Sequence, residues 1–376
     1  MMPHRRQILS WTGLLAAALV SAPASAPAQD AAVEAYMRAR AAFESEASAY
    51  WQAVADKRRA RFAKRRSGEP VGPADYVLAQ PPVYSGPPRP PGYVPPRRQV
   101  GPPPERIPSV GDFLKAAAEQ YGFVPDRPTE AEFKRAYARA ATQAGLTREQ
   151  AVGIYAFETG GNGTYDGQAG IVAGRKDAKP ISPALGYNQL LSTNSVSLLA
   201  AHGDHFIAKL SALAARLTGP RQQAMQAKLA ALRKMVAFSR SVPNAWSAHD
   251  RLAKTTAGGI GIHAAVLDRD IGPLLQTQKL LDSVRFARLK GYPRPLTAAE
   301  LELMNFTGDG NGLDMVMMPR ALREQVPTAN FFQRAGYERN PIARRTGTVA
   351  SLIASIEAKM SQGSQAAGAR ELAQAF

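Results

Sequence analysis

Beyond Ser109, apolar residues recur at three- and four-residue spacing, while alternating runs of β-branched residues are nearly absent. Residues spaced this way share one face of a helix, so the pattern is helical rather than extended. It predicts helices over Asp112–Tyr121, Thr193–Leu217, Arg221–Ser239, Gln276–Lys290 and Thr346–Met360. Three further starts carry a capping signature: Thr129 with Glu132, Thr147 with Gln150, and Thr297 with Glu300. In each, the threonine oxygen accepts from a free backbone N–H of the first turn, and the residue three places on reaches back to the cap. Residues 109–360 therefore read as one all-α domain. The pattern is different on either side of it. Residues 29–67 form an Ala-rich helical segment carrying Tyr36, Phe43, Tyr50 and Trp51. Residues 68–108 form a Pro-rich linker, where 14 of the 29 prolines lie between Pro70 and Pro108. Proline lacks a backbone donor and favours extended geometry, so the stretch reads as a semi-rigid spacer. Residues 361–376 have little to bury and read as a flexible tail.

Composition adds an address. Arg5 and Arg6 precede the 13-residue apolar run Ile8–Val20, and Ala26-Pro27-Ala28 fits a small-residue cleavage site. Residues 1–28 thus read as a signal peptide, since a membrane span needs roughly 20 apolar residues. The arginine pair also resembles a twin-arginine signal and does not by itself choose the export route. The chain has 376 residues, a formal charge of +17 and no cysteine. Cysteine-ligated metals, disulfides and thiol nucleophiles are therefore excluded. For an exported protein, this charge calls for an anionic envelope partner rather than nucleic acid. The densest run is Lys57–Arg66, where seven of ten residues are Lys or Arg. Such a run suits an anionic envelope surface, and a solvated helix face is the plainer alternative.

Candidate chemistry concentrates between Leu146 and Leu191. The helix capped by Thr147 carries Val152, Ile154, Tyr155 and Phe157, then Glu158, and Thr159-Gly160-Gly161-Asn162-Gly163 stops it. Ile154 and Tyr155 sit one turn behind Glu158 on its side of the helix. A carboxyl against apolar walls favours its neutral form, which is what a general acid near neutral pH requires. A plain solvent-exposed carboxylate is disfavoured at a helix C-terminus, where the dipole is negative. Six glycines between Gly160 and Gly174 make the following chain a loop. Next comes Ala184-Leu185-Gly186-Tyr187-Asn188-Gln189-Leu190-Leu191, whose side-chain amides suit sugar hydroxyls and N-acetyl groups. His202 and His205, three apart on a helix, are weak metal candidates. Asp309–Asp314 starts like a calcium loop, then departs from one and reads as a glycine-rich turn.

The order E-T-G-G, A-L-G-Y-N-Q-L-L, M-N-F-T-G-D-G-N-G resembles the three signature segments of lysozyme-like lytic transglycosylases. The likeness spans Asp112 to Ile342, about three-fifths of the chain. It implies a lysozyme-like fold for residues 109–360. Glu158 matches the catalytic acid and Thr159 the residue that follows it. Gly186 and Gln189 match the second segment, and Asn305 and Gly308 approximate the third. Tyr187-Asn188 stands where Leu-Met is usual, and Asn305 lies three residues before Gly308 rather than two. For the tyrosine that often faces the acid, Tyr337 and Phe331 are the nearest candidates, with core packing as the alternative. The resemblance implies cleavage of the β-1,4 bond between N-acetylmuramic acid and N-acetylglucosamine in peptidoglycan strands. Glu158 would act as acid and then base, with no metal or organic cofactor. Tyr187, Asn188, Gln189 and Asn305 would orient the glycan. A second carboxylate from Asp166 or Asp309 would instead make the site a lysozyme-type hydrolase. A glycan-binding protein without turnover, and an envelope scaffold acting through residues 29–108, are the alternatives.

Overall fold

The structure, a computed structural model, describes residues 26–95, 106–171, 175 and 177–376. The signal peptide expected over 1–28 lies outside them except for 26–28, which open the first helix. Among the described residues the chain is mostly helical, and extended pairing is limited to the isolated bridges Gln168–Leu185, Leu185–Leu190 and Pro327–Thr348. The described residues divide into two units, 26–50 with 82–95, and 51–81 with 106–376. The linker expected over 68–108 is thus shared between units, because its aromatic residues find partners.

In the first unit, helix α1 (Ala26–Ser67) places Tyr36 and Phe43, seven residues apart, on one face. Both meet the ring of Tyr84 edge-on, at 6.2 and 5.6 Å between centroids. Tyr93 approaches Tyr36 at 5.5 Å, and the Arg40 guanidinium lies 4.7 Å from the centre of Tyr84. Edge-on rings and a cation over a ring are both electrostatically favourable. This part of the Pro-rich stretch therefore packs on the helix.

The second unit continues with α2 (Val110–Tyr121), α3 (Glu130–Ala144) and α4 (Arg148–Thr159). After the glycine loop come α5 (Ser192–Ala214), α6 (Gly219–Ser239), α7 (Trp246–Thr255), α8 (Ala257–Ile262) and α9 (Gly272–Leu289). All three expected capping boxes form, and a fourth, Ser109 with Asp112, opens α2. Helices α2 and α5–α8 gather around Phe113, Leu199, Leu232 and Ile262. A separate core, holding Phe133, Tyr155, Leu303 and Leu352, joins α3 and α4 to the C-terminal helices. These are α10 (Ala298–Thr307), α11 (Asp309–Met317), α12 (Arg320–Arg323), α13 (Arg334–Arg339), α14 (Pro341–Thr346), α15 (Val349–Ser364) and α16 (Ala367–Gln374).

Two local expectations are corrected here. The turn expected at 309–314 is the first part of α11, and only Gly308, at φ 84°, breaks the chain between α10 and α11. Gly312 makes that sharp join possible, since a Cβ there would sit 2.3 Å from the Met304 Cα. The tail expected over 361–376 is helical as well. Ala369 and Leu372 are fully buried in the second core, the Gly368 N–H donates to Asn162 at 3.1 Å, and Glu371 pairs with Lys134 at 2.6 Å.

The basic run at the end of α1 is partly turned inward. Arg61 is fully buried, donates to the Asp75 carbonyl at 2.9 Å and the Asn330 carbonyl at 3.0 Å, and pairs with Asp314 at 3.4 Å. Arg65 also pairs with Asp314, and Lys64 pairs with Asp75 at 2.7 Å, while Arg66 stays exposed. Tyr76, from the expected linker, is buried beneath the Arg61 guanidinium and donates to Asp314 at 3.0 Å. Asn330 completes the anchor, accepting from the Val77 N–H at 2.9 Å and donating to its carbonyl at 2.8 Å. Removing one member strands a buried charge, so Arg61→Ala is expected to cost about 3 kcal/mol in urea unfolding. An Arg61→Met/Asp314→Leu double variant, which removes both charges, is expected to cost less than either single change.

Candidate active site

Helix α4 is shaped to deliver one acid at its end. Thr147 Oγ1 accepts from the Gln150 N–H at 3.1 Å, and the Gln150 carbonyl oxygen accepts from the Thr147 N–H at 2.9 Å. The same Gln150 donates its amide to the Leu296 carbonyl at 2.8 Å, which ties the start of α4 to the start of α10. Ala151 through Phe157 are all buried. Glu158, the next residue, is the first to reach partial exposure. Gly160 ends the helix at φ 65°. Gly161 then runs against α15 so closely that a Cβ would lie 2.0 Å from the Gly363 carbonyl oxygen. No other residue type fits there, and this contact fixes the end of α4 against α15.

Helix α10 supplies the partner. Its cap, Thr297 with Glu300, is reinforced by Tyr292, which donates to Glu300 at 2.9 Å, and by Arg294 at 2.6 Å. Gly153 of α4 allows α10 to approach closely, since a Cβ there would lie 3.0 Å from the Ala298 Cβ. Glu302 and Asn305, three apart, face the same way. The Asn305 amide donates to Glu158 Oε1 at 3.2 Å and reaches Glu302 Oε2 at 3.5 Å. The Asn305 amide thus bridges the two carboxyls, which lie close enough to act on each other's protonation. Glu302 is fully buried, and its Oε1 has no hydrogen-bond partner among the described residues. From α15, Lys359 lies 4.0 Å from the centre of the Phe157 ring and adds positive charge near Glu158.

These surroundings favour protonation of both acids. Burial first, then the charge of Glu158, pushes the Glu302 carboxyl well above its ordinary value of 4.5. Burial also raises Glu158, opposed by the hydrogen bond from Glu302, the charge of Lys359 and the Asn305 amide. One acid is sealed inside, and the other borders solvent.

The remaining residues singled out from the sequence have other places. Thr159 donates its hydroxyl to the Tyr155 carbonyl at 2.6 Å and accepts from the Gly161 N–H at 3.3 Å, closing the helix end. Gly308 terminates α10. Tyr187 is fully buried, meets the rings of Phe133, Tyr137 and Tyr155 edge-on, and donates to Glu130. Asn188 is buried too, accepting from Tyr137 at 2.9 Å and donating to the Gln276 carbonyl at 3.1 Å. Gly186 lies against the Gln276 amide. Gln189 sits at φ 44° and donates to the carbonyls of Gly186 at 2.9 Å and Gly167 at 3.2 Å. The roles expected for Tyr187 and Asn188 against a glycan are thus corrected, because both are enclosed and their polar atoms are used inside the fold. Gly186 is buried beside them, whereas Gln189 stays half-buried and braces the glycine loop through its amide nitrogen.

The second carboxylate is corrected as well. Asp166 pairs with Arg127, and Asp309 accepts from Ser283 at 2.6 Å, so neither attends Glu158. Glu302 does, and its signal in the sequence was a glutamate one helical turn before Asn305. Tyr337 packs on Trp51 and Phe332, and Phe331 on Tyr76, so both are core residues. His202 pairs with Asp282 at 2.8 Å, and among the described residues no group of three or more His, Asp or Glu is placed to hold a metal ion. Cavities of about 630 Å³ open among Phe123, Leu217 and Arg221, and among Phe62, Phe286 and Met317, with Glu158 lining neither.

The chain matches no family model, no curated protein and no solved structure.

The raised acids have a consequence for stability. A carboxyl whose folded-state pKa is raised binds its proton more tightly in the folded state, so its contribution is lost as pH rises above 4.5 through the raised value. Asp112 acts in the opposite sense and in a separate window, because bonds from Ser109 hold it at about 2 and its contribution is lost only in acid. In thermal melts from pH 4.5 upward, Glu302→Gln is expected to flatten the decline of Tm relative to wild type.

Proposed function

We propose that the protein cleaves the β-1,4 bond between N-acetylmuramic acid and N-acetylglucosamine in peptidoglycan, as an exported enzyme of the cell envelope. The observation that carries this reading is Glu158. It is a half-buried residue at the end of a helix that is buried from Gln150 to Phe157, its carboxyl held toward the neutral form by burial and beside a second, fully buried acid. In this reading, Glu158 protonates the glycosidic oxygen as the bond breaks. The resulting carboxylate then takes the proton of the muramic C6 hydroxyl, whose oxygen closes on the anomeric carbon to give a 1,6-anhydro end. The Asn305 amide steadies the carboxylate between the two steps, and Lys359 adds favourable charge. A retaining glycosidase separates its two carboxyls by roughly 5 Å to flank a sugar. Glu158 and Glu302 share the Asn305 amide and so lie together on one side, which favours the one-acid, intramolecular route.

The positive charge of the chain would raise its concentration on an anionic wall, with exposed residues such as Arg66 contributing and salt weakening the effect. A glycan-binding protein without turnover is the second reading.

Digestion of purified peptidoglycan followed by mass spectrometry separates the two. Wild type is expected to release anhydro-ended muropeptides, and Glu158→Gln to lower the rate by about 10³-fold. Reducing ends from wild type would reassign the protein as a hydrolase, and glycan binding without release would establish the binder.

A further inference from the structure

Glu302 is an expensive residue to keep. It is fully enclosed between α4, α10 and α15, and among the described residues no cation pairs with it directly. A bare carboxylate there would lose its hydration and face the charge of Glu158, so an ionised pair is strongly disfavoured. The groups that face Glu302 offer limited relief. Asn305, on its own helix, reaches Oε2 at 3.5 Å. Lys359, from α15, is exposed and acts from a distance. Tyr137, from α3, spends its hydroxyl on Asn188. Oε1 of Glu302 has no hydrogen-bond partner among the described residues, Glu158 shares the Asn305 amide with Oε2, and two carboxyls can bond only through a proton.

We propose that Glu302 keeps its proton throughout and is a positioning residue, donating its O–H to Glu158 whenever Glu158 is the carboxylate. Resting on the reading of Glu158 as acid and base, the proton count closes over one cycle. Glu158 gives its proton to the glycosidic oxygen, and the bond to the anomeric carbon breaks with its electron pair leaving on that oxygen. Glu158, now anionic, accepts from Glu302 and Asn305. It then takes the proton released by the C6 hydroxyl as that oxygen bonds to the anomeric carbon. Glu302 neither gains nor loses a proton. Its task is to lower the energy of the one charged state the enzyme passes through, as a buried neutral acid can when it donates to a developing anion.

A glutamine at 302 can still donate from its amide, whereas an alanine cannot, and the two variants make the test. The carboxyl carbon of Glu158 is followed by 13C NMR over pH in the full mature chain, with its signal assigned by loss in Glu158→Gln. Glu302→Ala is expected to raise the Glu158 pKa by about one unit, because a donor to the anion is lost, and Glu302→Gln to leave it within about half a unit of wild type. If Glu302 were instead an ionised neighbour, both variants would lower the Glu158 pKa, and that result overturns the proposal. Should Glu302→Ala fail to fold, Glu302→Gln decides alone, since a fall of about one unit in that variant contradicts a retained proton. In the glycan assay, Glu302→Gln is expected to keep the rate within about tenfold of wild type and Glu302→Ala to lose about 10²-fold. A wild type that titrates as expected but releases no muropeptide defeats the glycan reading while leaving the donor role established.

Discussion

Two carboxyl groups bridged by one amide, one on a fully buried residue and one on a half-buried residue, are the arrangement on which the site depends. Like charges at that distance in a desolvated setting repel strongly, so the fold tolerates the pair only in a protonated form. Much of the C-terminal packing serves to hold them there. Gly153 brings α10 against α4, Gly161 brings α15 against the end of α4, and Gln150 ties the two helix starts together. Each contact is backbone-close, which leaves little freedom for the acids to separate. Asn305, reaching toward both, adds a neutral donor where a cation would have favoured ionisation.

The support extends behind α4. Tyr187 fills the space between Phe133, Tyr137 and Tyr155, and Asn188 and Gln189 tie down the loop that follows the acid. A segment rich in amides and an aromatic hydroxyl, well suited in chemistry to bind sugar, is thus engaged in holding the helix that carries Glu158. In the same unit, Arg61 and Tyr76 close over Asp314 of α11. The basic end of α1 and the adjoining part of the Pro-rich stretch therefore belong to the second unit.

Most of the helices were legible because each is written locally. Thr129, Thr147 and Thr297 announce their caps within four residues, and the three- and four-residue apolar spacing needs no tertiary context. Glu158 was legible for the same reason, as an acid at the glycine-terminated end of an apolar helix. Glu302 was not. Its importance comes from α10 lying against α4, a contact between residues 144 apart in sequence, and nothing local distinguishes it from Glu300, which caps its own helix. The fates of Tyr187 and Asn188 were hidden likewise, because a tyrosine or an asparagine is equally at home in a groove and in a satisfied core. The tail was misread for want of bulk, yet Ala369 and Leu372 find a core already formed by α3, α4 and α15.

Neutron diffraction from deuterated crystals grown near neutral pH would test the central claim most directly, since it locates the proton that X-rays miss. Nuclear density for a deuteron on Glu302, aimed at a Glu158 oxygen, is the expected result. Two bare carboxylates swung apart, with Glu302 turned toward a cation or water, would contradict the account.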